Sequence, residues 1–218
     1  MKFFMKLTAM LLLLLVSFSA LAYFFWYQPK FKAPISKTPF KPKREETAKY
    51  VLIRLKQKAD DIAVYAATHG YNNNYCFMVD MSIESGKKRF FVYNLKKDTI
   101  ELSGLVTHGG GKDEQGSGIH FSNQPNSLCT SLGRYRIGSS YNGKFGLAFK
   151  LYGLDSSNSK AFDRFVVLHS HSCVPNDEVA PLPICESWGC PTVAPVFLTQ
   201  LKTYIDRSTR PVLLNIYY

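Results

Sequence analysis

The chain has 218 residues, enough for one sizeable domain with appendages and too few for two ordinary ones. At 46% hydrophobic and 14% aromatic it can bury a core, which excludes a disordered chain; abundant Tyr and Phe, with only 20% charged residues, lean towards β-rich structure. The net charge of +11 admits nucleic acid, an anionic membrane surface or an acidic polymer as neighbour. Much of the excess precedes residue 50, in Lys30, Lys32, Lys37, Lys41, Lys43, Arg44 and Lys49, and no nucleic-acid motif accompanies it. A basic tail beside a membrane is therefore the preferred reading, with no nucleic-acid partner.

In chain order, Lys2 and Lys6 precede an uncharged run from Leu7 to Tyr27, close to the ~20 residues a helix needs to cross a bilayer. Ala20-Leu21-Ala22 offers a signal-peptidase site, but Tyr23-Phe24-Phe25-Trp26-Tyr27 continues the apolar run with aromatics where a headgroup belt would lie. Residues 1–27 thus predict a hydrophobic helix acting as an uncleaved anchor, with a cleaved signal as the alternative. The positive-inside rule would hold the following lysines in the cytoplasm, so an extracytoplasmic location rests on the chemistry below. Residues 28–47, with Pro29, Pro34, Pro39 and Pro42 among lysines, read as an extended linker. Residues 48–218 form the domain.

From Ala48, Val51, Leu52, Leu55, Ala59, Ile62, Ala63 and Ala66 recur at helical spacing, and His69-Gly70 makes a stop. Cys76–Met81, Arg89–Leu95 and Thr99–Val106 read as strands. His108 to Ser131 is a Gly- and Ser-rich loop too long for a mere connector. Gly133–Gly138 and Leu147–Leu151 flank Tyr141-Asn142-Gly143-Lys144, where Asn-Gly signals a hairpin. Phe165–His169 reads as a buried strand, residues 170–186 as a second long loop, Pro195–Asp206 as a helix and Pro211–Tyr217 as a closing strand. The fold class is mainly β with a few helices.

Five cysteines occur: Cys76, Cys129, Cys173, Cys185 and Cys190. An odd count outside the cytoplasm suggests one free thiol with a function, and Cys173 and Cys185, in one loop, are the favoured pair. A cysteine nucleophile needs a neighbouring base and N–H donors for the oxyanion. In Ser187-Trp188-Gly189-Cys190-Pro191, Gly189 permits a tight turn before the sulfur, and its N–H and that of Cys190 could face a tetrahedral intermediate. Pro191 stiffens the exit. His169 ends an apolar strand before the loop that returns to Cys190; alternation puts His171 on the same face, so either ring could serve as base. The bland alternative makes Cys190 a core thiol or disulfide half and the histidines hydrogen-bonded structural residues.

Phe77 to Val193 resembles the L,D-transpeptidase catalytic domain (YkuD-type), and most its murein L,D-transpeptidase branch. The stretches that carry the resemblance are Val106-Thr107-His108-Gly109, Phe121-Ser122-Asn123, Thr130-Ser131-Leu132-Gly133, Tyr141-Asn142-Gly143-Lys144-Phe145-Gly146, Val167-Leu168-His169 and Ser187-Trp188-Gly189-Cys190-Pro191. It implies a YkuD-like β-sandwich fold and attack of Cys190 on the L-to-D bond of a murein tetrapeptide stem, releasing terminal D-alanine. The acyl group then passes to a side-chain amine of another stem, or to water. By the same resemblance His169 takes the thiol proton, the Ser170 carbonyl orients its ring, and Ser187 and Gly189 place the oxyanion donors. Trp188 stands where the broader family usually has histidine, and Ser170 where it commonly has glycine. His169 is preferred to His171 on strand-end position and resemblance.

His108, Asn123 and Ser131 match motif positions in the first loop and, with Ser187, Trp188 and His171, are assigned to the substrate groove. They could equally pin loop backbone. Tyr141 and Lys144 read as hairpin residues, although Lys144 could meet a stem carboxylate. His69 and His120 read as structural. His169, His171, Cys173 and Cys185 match no structural zinc spacing, so neither metal nor cofactor is expected. Expected partners are peptidoglycan stem peptides, with the membrane reached through the N-terminal segment of an envelope protein. Two rival readings are another envelope Cys–His hydrolase and a non-catalytic murein-binding protein with Cys190 in a disulfide.

Overall fold

The computed structural model describes residues 2–27, 43–112 and 118–218. They divide into two units, Met1–Glu45 and Glu46–Tyr218. The first contains the hydrophobic helix α1 (Lys2–Ala22), which continues as a π-helical turn over Tyr23–Tyr27. Among the described residues no helix is long and apolar enough to cross a membrane, so the expected membrane anchor is not supported. Residues 28–42 of the expected linker lie outside the described residues, and helix α2 (Lys43–His69) begins inside the segment assigned to that linker.

The second unit holds one sheet of eight strands in the order β3-β2-β1-β8-β4-β5-β6-β7. These are β1 (Tyr75–Asp80), β2 (Phe90–Asn94), β3 (Thr99–Gly104), β4 (Gly133–Gly143), β5 (Gly146–Gly153), β6 (Val167–Ser170), β7 (Thr192–Val193) and β8 (Leu213–Tyr217). The expected mainly-β fold class with a few helices is borne out. β1 pairs parallel with β8, as does β6 with β7, and the remaining neighbours are antiparallel.

Alternation along the strands divides the apolar residues between two faces. Cys76, Met78, Phe91, Tyr93, Leu213 and Tyr217 pack with Leu55, Ala59, Ile62 and Ala66 of α2. Their neighbours Phe77, Val79, Phe90, Val92, Leu214 and Ile216 enter the main core on the other face. Burial on both faces is why these strands read as unbroken apolar runs. Arg54 on α2 bonds the fully buried Asp80 at the end of β1, fixing the helix to the sheet. Helix α3 (Pro195–Asp206) starts at a proline and sends Phe197, Leu198 and Leu201 into the main core. Each such burial contributes about 1.5–3 kcal/mol.

Two local expectations change. Gly143 pairs with Gly146, so the hairpin turns at Lys144-Phe145 and Asn142-Gly143 stays in β4. A register shift between Ile137 and Ser140 accompanies this placement. Phe165 has φ 57°, so the strand expected from Phe165 begins at Val167. Both departures place aromatic residues beside the candidate site.

Candidate active site

β5, β6 and β7 lie side by side, pairing Ala148 with His169 and His169 with Thr192. Directly paired residues share a face of the sheet, so this register sets the Thr192 side chain beside the His169 ring. The chain leaves β6 into a loop closed by the Cys173–Cys185 disulfide, the pair favoured from sequence, and returns as Ser187-Trp188-Gly189-Cys190. Cys190 is a half-buried free thiol, whereas Cys76 and Cys129 are buried.

The turn before the sulfur depends on Gly189. Its φ is 103°, and a Cβ there would lie 2.6 Å from the Cys129 carbonyl oxygen. That oxygen is fixed by Arg164 Nη2 at 2.6 Å. The Cys190 carbonyl oxygen accepts from Ser187 Oγ at 2.7 Å and from Thr107 Oγ1 at 3.2 Å. The backbone carrying the thiol is thus held by two hydroxyls.

His169 is buried, with Nδ1 3.1 Å from the Ser170 carbonyl and Nε2 3.0 Å from Thr192 Oγ1. A carbonyl can only accept, so Nδ1 carries the proton and Nε2 presents a lone pair to the Thr192 hydroxyl. Burial pushes the His169 pKa below its ordinary value; the Ser170 carbonyl opposes this and His171 adds to it. Burial raises the Cys190 pKa, against a backbone hydrogen bond at Val167 and the charge of Arg164. The sulfur's hydrogen-bond acceptor is the Phe165 carbonyl at 3.8 Å. Both directions favour a resting pair of neutral thiol and neutral imidazole.

His171 is exposed, and its Nδ1 accepts the Cys173 N–H at 3.1 Å. Phe145, at the hairpin turn, stacks on His169 with centroids 5.2 Å apart and meets His171 edge-on at 5.6 Å. His169, Cys190 and Phe145 form the shared wall of two clefts. One, of about 220 Å³, extends to Thr107, His171, Glu186, Ser187 and Trp188. The other, of about 200 Å³, extends to Tyr141, Lys144, Phe165 and Val167.

Of the other residues assigned to the groove, Ser187 and Trp188 line the larger cleft, and Trp188 is 81% exposed. Ser187 Oγ accepts the Gly189 N–H at 3.2 Å, so the proposed oxyanion donor has a partner at rest. His108, Asn123 and Ser131 line neither cleft. His108 is buried against Arg89. Asn123 binds Ser156 O and Ser159 Oγ through Nδ2 and accepts the Lys160 N–H. Ser131 bonds Tyr135 and Arg164. Of the three, Asn123 pins loop backbone, whereas these bonds of His108 and Ser131 are to side chains.

Thr192, Phe145 and Arg164 surround the site without an expectation from sequence. Arg164 ties the first long loop together through Ser122 O, Ser127 Oγ and Cys129 O while its charge acts on Cys190. Its position three residues before β6 carries no local signal of that role.

A family model, the L,D-transpeptidase catalytic domain YkuD_2, matches residues 47–213. No curated protein matches the chain. Among solved structures, the helical cell shape determining protein Pgp2 from Campylobacter jejuni is similar at 13% identity and TM-score 0.42, over 67% of this chain and 49% of that one. An L,D-transpeptidase from Xylanimonas cellulosilytica is similar at 12% identity and TM-score 0.38, over 70% of this chain and 68% of that one. The match thus spans about half the length of the Campylobacter protein. With the family model covering most of its length, and a free cysteine and a buried histidine on the wall of its clefts, the chain belongs to the L,D-transpeptidase catalytic domain family.

Proposed function

We propose that the domain performs cysteine-dependent acyl transfer on murein tetrapeptide stems in the cell envelope, as an L,D-transpeptidase or L,D-carboxypeptidase. The observation that supports this reading is that a free Cys190 and His169 line the same two clefts, while Cys173 and Cys185 are bridged to each other. Two clefts meeting at one nucleophile suit a two-substrate acyl transfer, since donor and acceptor can each be held against it.

In this mechanism substrate displaces the Thr192 hydroxyl from His169 Nε2, which then takes the thiol proton. The Cys190 sulfur attacks the carbonyl carbon of the L-to-D bond. The oxyanion is met by the Cys190 N–H and by a Gly189 N–H released from Ser187 Oγ. The C–N bond breaks, His169 returns the proton to the leaving D-alanine nitrogen, and a Cys190 thioester remains. An amine or water then attacks it, and the sulfur is regenerated. The Ser170 carbonyl serves throughout as the group that holds the ring and steadies its charged form.

The test is a pair of tetrapeptide stems differing only in the chirality of the terminal residue. Release of D-alanine from the D-form, with none of its enantiomer from the L-form, is expected. Equal release from both supports another Cys–His hydrolase, and release from neither refutes the proposal.

A further inference from the structure

The larger cleft has an acidic end whose construction the proposed mechanism does not use. Arg89 is fully buried, and its guanidinium donates to Val106 O at 2.9 and 3.0 Å, Ile83 O at 3.1 Å and His108 Nδ1 at 3.0 Å. Arginine can only donate, so His108 Nδ1 is an acceptor and its proton sits on Nε2. That Nε2 lies 3.6 Å from Glu186 Oε1. On its other side the Glu186 carboxylate rests against Gly110, where a Cβ would come within 2.3 Å of Oε2. A buried arginine and histidine thus aim a carboxylate whose side chain is still 58% exposed.

Among the described residues His108 is the one ion-pair contact of Glu186. Burial foremost, then the Arg89 charge, keeps that imidazole neutral against the pull of Glu186. Trp188, 81% exposed, lines the same cleft. A carboxylate and an exposed indole lining one cleft suit a compact organic cation, which the one attracts by charge and the other through its ring quadrupole. The second cleft, across Phe145, carries Lys144 on its wall and suits a carboxylate instead.

We infer that Glu186 and Trp188 form the acceptor subsite, binding the primary ammonium of the incoming acyl acceptor next to the Cys190 thioester. This inference rests on the proposed acyl-transfer function. In the step it serves, the bound ammonium gives one proton to solvent and the free amine adds to the thioester carbon. The C–N bond forms and the C–S bond breaks. The second proton passes through His169 to the Cys190 sulfur. Arg89 and His108 act as positioning residues for the Glu186 carboxylate.

The experiment follows the fate of the acyl-enzyme made from a tetrapeptide donor, at neutral pH. Aminolysis is counted per acyl-enzyme, so that any change in acylation divides out. The acceptors are a stem tripeptide with a charged side-chain amine and hydroxylamine, which is uncharged at that pH. For Glu186→Gln the half-saturating concentration of the tripeptide should rise about tenfold or more, with hydroxylamine unaffected. Trp188→Leu should shift the tripeptide in the same direction, and Trp188→Phe should restore most of its binding. An unchanged tripeptide value, or equal shifts for both nucleophiles, overturns the subsite but leaves the proposed function standing. A wild-type protein that forms no acyl-enzyme removes both.

Discussion

Replacing Gly189 with alanine tests the geometry beneath the sulfur. The residue sits at φ 103°, where an L side chain strains the backbone by about 1–3 kcal/mol. The added Cβ would also lie 2.6 Å from the Cys129 carbonyl oxygen and 3.2 Å from its carbon. That carbonyl cannot retreat freely, because Arg164 Nη2 holds it at 2.6 Å, and a hydrogen bond to a charged group is worth about 1.5–3 kcal/mol. Strain plus a weakened clamp amounts to about 3 kcal/mol, or a fall of roughly 6–12 °C in Tm for a domain of this size. Thermal unfolding followed by circular dichroism measures it. Gly70→Ala is the control, since Gly70 has φ 73° with nothing within 4 Å of an added Cβ, and so carries strain alone. A Gly189→Ala protein that melts no lower than Gly70→Ala and keeps full activity would refute this account of the turn.

Other outcomes follow from the same contacts. His169 must be neutral to accept a proton and its pKa is lowered, so kcat/KM should fall on the acid side with a midpoint below the ordinary 6.5; His171→Ala, which removes a neighbour that lowers it, should move that midpoint up. Cys173 and Cys185 are 12 residues apart, so loop entropy predicts that Cys173→Ser with Cys185→Ser costs about 3 kcal/mol in urea unfolding, with wild type under reductant behaving alike. Leu201, fully buried in the main core, should cost about 2–5 kcal/mol as alanine by the same assay.

Much of the fold is legible because its signals are local. The stripe Leu55, Ala59, Ile62 and Ala66 marks α2, and the runs around Phe77, Phe90 and Leu214 mark strands buried on both faces. Gly189-Cys190 and the strand-end His169 point to the site for the same reason: each carries its chemistry within a few residues. What escapes a sequence reading depends on partners far along the chain. β7 has only two residues, too few for any periodicity, yet its register brings Thr192 to His169. The turn at Lys144-Phe145, in place of the Asn-Gly signal, is set by pairing across β4 and β5, and it delivers Phe145 to the imidazole. Arg89 and Arg164 look like any strand or loop arginine until the loops they bind are folded against them. The apolar N-terminus shows the opposite difficulty, since an uncharged run suggested an anchor and the described helices include none able to cross a membrane.

The central claim is that Cys190 carries the acyl group. Intact-mass measurement after incubation with a tetrapeptide stem or a carbapenem tests it most directly. The account predicts one covalent adduct on the wild-type chain, located at Cys190, and none on Cys190→Ala. No adduct on the wild type, or an equal adduct on Cys190→Ala, would contradict it.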